Sequence, residues 1–107
     1  MKLKSFQLLV GDDGGIIMGH GRMLILESIH RTGSINKTAK ELNMSYKSVW
    51  SKIKSTQANF GRPVVHATRT HGTSLTPEGR QLLERYKQLN RQCIQADDGI
   101  FNSIFHG

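Results

Sequence analysis

The sequence predicts a mostly α-helical fold with two small β-hairpins, and three patterns in the 107 residues support this. Apolar residues recur at helical spacing within residues 33–60, β-branched residues flank a polar tip within residues 63–76, and a helix-start signal at Thr76 opens a long amphipathic segment. The length and the 36% hydrophobic content suit one small domain. We therefore expect residues 1–107 to form a single domain.

The N-terminal residues 1–18 predict a β-hairpin. The segments SFQLLV and GIIMG flank the run from Gly11 to Gly14, whose residue types favour a tight turn between antiparallel strands. The next segment, RMLILESIHRT, predicts a helix that supports the elements after it. The residues that give this segment its helical spacing are Leu26, Ile29 and either Arg22 or Ile25.

Residues 32–54, TGSINKTAKELNMSYKSVWSKIK, predict two short helices joined by a tight corner. An apolar stripe at i, i+3, i+4 and i+7 runs from Ile35 to Leu42, and Ser34 supplies the N-cap of this first helix. Asn43 tolerates the left-handed backbone that ends many helices, and a second helix begins at Ser45. Residues 20–60 are thus predicted to be helical and to contain a helix-turn-helix.

The charge of this region favours a polyanionic partner. Between Arg31 and Lys54 there are six lysine or arginine residues and one acid, Glu41, and the whole chain carries a net charge of +7. Many helix pairs are basic by chance, and a solvated basic surface without a partner is the alternative. The coincidence of cap, corner, stripe and charge favours binding to duplex DNA.

The second helix is the predicted recognition helix, because a major groove admits an α-helix whose first turn reaches base edges. Lys47 can donate to guanine O6 or N7, and Tyr46 offers a hydroxyl group and a ring edge. For Ser45 the capping role is favoured over a phosphate contact. Trp50 can anchor the core or contact a base, and core packing is the favoured alternative.

Residues 63–76, PVVHATRTHGTSLT, predict a second hairpin directly after the recognition helix. A helix-turn-helix followed by such a hairpin is a winged helix, and Arg69 or His71 at the tip can follow the phosphates or enter the minor groove. For His71 alone, an ordinary solvent-exposed loop is favoured. The candidate DNA-binding residues are Ser34, Lys37, Ser45, Tyr46, Lys47, Ser48, Ser51, Lys54, Arg69 and His71.

The last predicted element is a long helix over residues 77–105. Thr76, Pro77 and Glu78 supply an N-cap, a proline at the first helical position and an acid near the positive helix end. Its apolar stripe steps by four and three residues and would pack either against the support helix or across a two-fold dimer seam; the dimer is favoured. The candidate dimer-interface residues are Leu82, Tyr86, Leu89 and Cys93.

The segment GSINKTAKELNMSYKSVWSKI closely resembles the DNA-reading segment of ModE-type molybdate-responsive regulators, and LTPEGRQLLERY resembles the segment after their wing. The wider pattern, from Pro63 to Gly79 around the wing, is similar to that of LysR-type regulators. The resemblance covers about residues 20–90 and implies a dimeric repressor or activator. It also implies that residues 45–48 face the groove and that Ser34 and Lys37 lie near phosphates.

Two departures from the ModE-type pattern matter. Those regulators usually continue into molybdate-binding domains, whereas this sequence stops at Gly107, so we expect neither such a domain nor a molybdate site in it. The wing run from Thr70 to Thr73 also replaces a longer glycine-rich insertion.

Other function classes find little support in the sequence. Its five histidines form no ligand pair at short helical spacing, and Cys93 has no neighbouring base, so we expect no enzyme, metal or cofactor. A single cysteine and the lack of a membrane-spanning apolar run indicate a reducing cytoplasm. The remaining alternative is a winged-helix scaffold that binds a protein through the long helix and residues 100–105.

Overall fold

A computed structural model describes all residues from 1 to 107. Four helices and four short strands alternate in the order of a winged helix-turn-helix, and the strands form two separate antiparallel hairpins. The predicted fold class is confirmed. The elements are β1 (Leu9–Val10), β2 (Ile16–Met18), α1 (His20–Thr32), α2 (Ile35–Glu41), α3 (Tyr46–Phe60), β3 (Val65–Thr68), β4 (Gly72–Leu75) and α4 (Pro77–Phe105).

Side-chain caps set the starts of three helices. The hydroxyl groups of Ser34, Ser45 and Thr76 each accept a hydrogen bond from the amide three residues later, at 3.1, 3.0 and 2.9 Å. Each bond satisfies an amide that has no partner within its helix. Asn43 has a φ of 55° and closes the corner between α2 and α3. All four of these local predictions are confirmed.

The hydrophobic core lies where α1, α2 and α3 meet the two hairpins and the first turns of α4. Full burial of a large apolar side chain stabilises the fold by about 1.5–3 kcal/mol, so these contacts hold α2 and α3 in one orientation. Ile25, and not Arg22, completes the buried stripe of α1. The core residues are Met18, Ile25, Leu26, Ile29, Ile35, Ala39, Val49, Ile53, Val64, Val65, Leu75, Leu82, Leu83 and Tyr86.

The N-terminal hairpin is shorter than the sequence predicts. Only Leu9 and Val10 pair with β2, because β2 ends at Met18 and α1 begins two residues later. The preceding residues run along α4 instead, where the Tyr86 hydroxyl donates to the carbonyl oxygen of Gln7 at 2.6 Å. The N-terminal segment is therefore attached to the last helix as well as to β2.

The wing, β3–β4, is tied to the helix-turn-helix by a backbone contact. Its strands pair from Val65 opposite Leu75 to the turn before Gly72. The amide of Thr73 donates to the carbonyl oxygen of Gly33, in the loop between α1 and α2, at 3.0 Å. This bond holds the wing beside the start of α2.

The structure corrects half of the predicted dimer seam. Leu82 and Tyr86 are buried in the core of their own domain, where α4 packs against α1, and Lys87 Nζ pairs with Glu27 Oε2 at 2.8 Å across the same contact. These two apolar side chains therefore offer a second copy less than a tenth of their surface. Beyond them α4 continues away from the core, and Leu89 is 40% exposed.

Candidate nucleic-acid interface

The recognition helix α3 separates an apolar inner side from a cationic outer side. Val49 and Ile53 are buried, whereas Lys47, Ser51 and Lys54 are exposed. Positions i, i+4 and i+7 share one face of an α-helix, and these three residues line a shallow cleft of about 300 Å³ together with Trp50. The structure thus brings together three of the predicted DNA-binding residues.

A second cleft, of about 410 Å³, lies between the start of α2, the start of α3 and the wing. Two of the predicted DNA-binding residues, Ser34 and Tyr46, line it, and Tyr46 is 50% exposed. Asn36 and Thr73 line it too, and both were missed by the sequence analysis. The signal for Asn36 was its place in the first turn of α2; the position of Thr73 depends on the bond between the wing and Gly33.

Trp50 packs against the hydrophobic core, which is the alternative that the sequence favours, and its contact with a base stays a prediction. It is half-buried, and it also lines both clefts on the outer side of α3. Trp50 is therefore shared by the cleft that Tyr46 lines and the cleft that Lys47 lines.

The remaining predicted residues of the two helices lie at their exposed N-terminal turns. The Ser45 hydroxyl oxygen accepts the Ser48 amide at 3.0 Å, which is the capping role favoured for Ser45. Ser48 itself is exposed. Lys37 is exposed in the first turn of α2 but lines neither cleft. It stands where the partial positive charge of a helix start adds to its own charge.

The wing tip stands apart from both clefts. Arg69 and His71 are exposed, and neither lines the surface between α2 and α3. The Thr70 hydroxyl lies 2.8 Å from His71 Nδ1, and the His71 amide donates to Thr68 Oγ1 at 2.9 Å. These local bonds shape the tip and leave the Arg69 guanidinium without an ion pair.

A further cation, Arg62, extends the basic face beyond the predicted residues. It shares a cleft of about 470 Å³ with Lys54 at the C-terminal end of α3. Gly61 ends this helix with a φ of 81°, and the chain turns there. Arg62 lies outside the predicted helix-turn-helix, and the signal for it is the preceding glycine, which marks the end of a helix.

The single acid of the basic region is neutralised within the fold. Both Glu41 oxygens accept hydrogen bonds from Arg31 at 2.7 Å, and the Ser28 hydroxyl also donates to Glu41. These bonds lower the pKa of Glu41 to about 2 and raise the pKa of Arg31. The only other ion pair joins Lys87 to Glu27, so every lysine of α2 and α3 is free to meet phosphate groups.

The N-terminal hairpin supports the inner side of α3. Arg22 donates to the carbonyl oxygen of Ile16 and to Thr56 Oγ1, both at 3.0 Å, and Thr56 Oγ1 donates to the carbonyl oxygen of Ile17 at 2.8 Å. Burial lowers the pKa of Arg22. Arg22 therefore has an anchoring role that its place in the sequence did not indicate.

No helix of the chain has the length and apolar character needed to cross a membrane. No group of three or more His, Cys, Asp or Glu side chains is placed to hold a metal ion.

The fold and the basic face define a winged helix-turn-helix protein. Residues 21–80 match the bacterial regulatory helix-turn-helix proteins of the lysR family, and the chain belongs to that family. The resemblance to LysR-type regulators is thereby confirmed.

The ModE resemblance is also confirmed. The chain is 35% identical to the molybdenum transport protein ModE of Azotobacter vinelandii, with 82% of this chain and 34% of ModE covered. It is 34% identical to the transcriptional regulator ModE of Haemophilus influenzae, with 85% of this chain and 37% of that protein covered. The chain thus spans about a third of the length of these curated relatives.

A solved structure shows the same fold. The DNA-binding domain of CbnR, in complex with DNA, superposes with a TM-score of 0.67 at 17% identity. The match covers 81% of this chain and 99% of that domain.

Proposed function

We propose that the protein binds double-stranded DNA in a sequence-specific manner and acts as a homodimeric, ModE-like transcriptional regulator. The observation that carries the proposal is the outer face of α3, where exposed lysines without ion pairs adjoin a cleft shared with α2 and the wing. A net charge of +7 favours the approach of a polyanion. The similarity to regulators named ModE supports the same conclusion.

In the proposed complex the first turn of α3 enters the major groove. Lys47 donates to a guanine edge, and Tyr46 contacts a base or a phosphate beside it. Ser34 and Lys37, at the start of α2, bind the backbone, where helix N-termini favour phosphate. The other proposed contacts to the duplex are Ser45, Ser48, Ser51, Lys54, Arg69 and His71.

We propose the dimer seam on the part of α4 that leaves the domain. Leu89, Cys93 and Ile100 continue the stripe, and Leu89 and Ile100 are 40% and 59% exposed. Two copies of an α-helix bury such a stripe by packing side by side. Leu82 and Tyr86 are not part of this seam, since they are buried within the domain.

We propose further that residues 1–107 form one winged-helix domain without catalytic activity and without a molybdate site. The protein then acts in the cytoplasm, because the duplex it would bind lies there in bacteria.

One observation favours a second function, a protein-interaction scaffold. Ile100, Ile104 and Phe105 are exposed at the end of α4, and Phe101 stacks on Phe105 with ring centroids 5.0 Å apart. An apolar helix end of this kind suits a protein groove. Salt separates the two functions, because phosphate contacts weaken steeply as salt rises and an apolar contact does not.

The experiment compares fluorescence anisotropy of a selected operator and a random duplex at several salt concentrations. Lys47→Ala is expected to weaken operator binding by about 1–3 kcal/mol more than random-duplex binding, since it removes a base contact. Lys37→Ala is expected to weaken both about equally and to reduce the salt slope by about 0.9. Arg85→Ala is the charge-matched control, because Arg85 is exposed on α4 and lines none of the clefts on the basic face.

Equal losses for Lys47→Ala and Lys37→Ala on both duplexes would contradict the proposal that Lys47 contacts a base and Lys37 contacts the DNA backbone. Wild-type protein that binds no duplex at low salt would contradict the proposed function itself and favour the scaffold.

A further inference from the structure

The N-terminal segment, residues 3–8, has a free backbone edge. None of its amide or carbonyl groups takes part in a backbone hydrogen bond, although β1 continues directly from it. Only the carbonyl of Gln7 has a partner, the Tyr86 hydroxyl at 2.6 Å. Successive residues of an extended strand direct these groups to opposite edges, so those of Phe6 and Leu8 point away from the Gln7–Tyr86 contact. Such an unpaired row is a template for another strand.

The side chains of this segment alternate between two environments. Ser5 and Gln7 are half-buried toward α4, and Ser5 Oγ donates to Asp97 Oδ2 at 2.6 Å. Phe6, Leu8 and Val10 face outward and are 74%, 59% and 49% exposed. From Ser5 to Leu8 the inner side chains are polar and the outer ones are apolar, which reverses the usual pattern of a strand on a protein surface, and the exposed Lys4 precedes them on the outer side. The outer apolar side chains therefore lack the cover that such residues normally have.

We propose that this edge pairs with the same segment of a second copy, so that the two N-terminal segments run antiparallel at the centre of one shared sheet. This inference rests on the proposed dimer and adds a second contact to the α4 seam. An antiparallel pairing of identical segments is self-complementary, as a two-fold interface requires. Each amide and carbonyl on the free edge then gains a partner, as in other strand-addition contacts.

Among registers whose two-fold axis passes through a hydrogen-bonded pair, charge and length favour the one centred on Phe6. Centring it on Phe6 places the two phenyl rings opposite each other and sets Leu8 opposite Lys4 of the partner subunit, so that no lysine faces a lysine. Centring it on Lys4 would oppose two like charges, which is destabilising. Centring it on Leu8 would leave only residues 6–10 to pair, because the turn begins at Gly11. The Phe6 register uses residues 2–10 of both copies.

Disulfide cross-linking tests this register. In a Cys93→Ala background, which removes the only native cysteine, Phe6→Cys places two thiols at the two-fold axis. Opposed Cα atoms of a hydrogen-bonded pair lie ~5.5 Å apart, within the ~4.4–6.8 Å range that a disulfide spans. The matched control is Asp12→Cys, which is exposed at the hairpin turn. In the proposed pairing two such thiols lie roughly 40 Å apart.

Under mild oxidation Phe6→Cys is expected to form a covalent dimer at least roughly tenfold faster than Asp12→Cys, which meets its copy only by collision. Sedimentation of the wild-type and Cys93→Ala proteins is measured in parallel. If both are dimers and Phe6→Cys cross-links no faster than the control, the shared sheet centred on Phe6 is overturned while the α4 dimer stands. If the wild-type protein is a monomer at the concentrations that saturate DNA, the proposed dimer and this inference fail together.

Discussion

Gly79 sits where α4 meets the base of the wing, and its lack of a side chain has a measurable consequence. A Cβ atom built on Gly79 would lie 2.8 Å from the carbonyl carbon of Val64 and 2.9 Å from its Cα. These are backbone atoms, and the Val64 carbonyl also accepts the Thr76 amide at 3.0 Å. The strand therefore cannot move aside without losing that bond. We expect Gly79→Ala to destabilise the protein.

Two opposing effects set the size of this loss. Alanine favours a helix over glycine by about 1 kcal/mol, whereas forcing a methyl group into a filled site costs about 1–3 kcal/mol. The neighbour is backbone rather than a flexible side chain, so the upper part of that range applies. The net loss in the free energy of unfolding is then about 1–2 kcal/mol, which lowers the Tm by roughly 5–15 °C.

Thermal and urea unfolding, followed by circular dichroism, measure the effect. Gly99→Ala is the matched control, because Gly99 lies in the same helix and a Cβ atom there would have no neighbour within 4 Å. We expect this control to be as stable as the wild-type protein or more stable, by up to about 1 kcal/mol. A Gly79→Ala protein as stable as Gly99→Ala would refute the packing argument.

Three further outcomes follow from single contacts. Because Arg31 lowers the folded pKa of Glu41 from 4.5 to about 2, the wild-type protein has this stabilisation above about pH 4.5 and loses it as the pH falls toward 2. Urea unfolding of Glu41→Gln should therefore depend less on pH in that window, and an unchanged pH dependence would contradict the contact. Ser45→Ala should lower the free energy of unfolding by about 1 kcal/mol, since α3 loses its cap; a Tm equal to that of the wild-type protein would exclude this. Tyr86→Phe removes the bond to Gln7 and should speed proteolytic cleavage within residues 1–8, whereas cleavage at the wild-type rate would show that the bond does not hold the segment.

Local features of the chain were predicted correctly where the interaction spans only a few residues. The caps at Ser34, Ser45 and Thr76 and the left-handed Asn43 each depend on neighbours within one helical turn. Residue type and spacing are enough to recognise such contacts, because no distant part of the chain takes part in them.

Features that depend on distant residues were missed or left open. Spacing alone could not choose between Arg22 and Ile25, because both positions suit the inner stripe of α1. In the structure Ile25 is buried, whereas Arg22 donates hydrogen bonds to the N-terminal hairpin and to α3. Asn36 and Arg62 join the basic face only because α2, α3 and the loop after α3 come together.

The predicted dimer seam shows the same division. The spacing of apolar residues predicted one apolar face on α4. Spacing does not show what covers such a face, and in the structure the domain itself covers Leu82 and Tyr86.

By itself the sequence determined the order of the elements, their caps, the basic character of the helix-turn-helix and the family resemblance. Only the tertiary structure decided which apolar residues remain exposed, which cations remain unpaired and where the N-terminal segment lies. The physical reason is that hydrophobic periods and caps are properties of neighbouring residues. Burial and ion pairing depend on contacts between residues far apart in the chain, such as Gln7 with Tyr86 and Gly33 with Thr73.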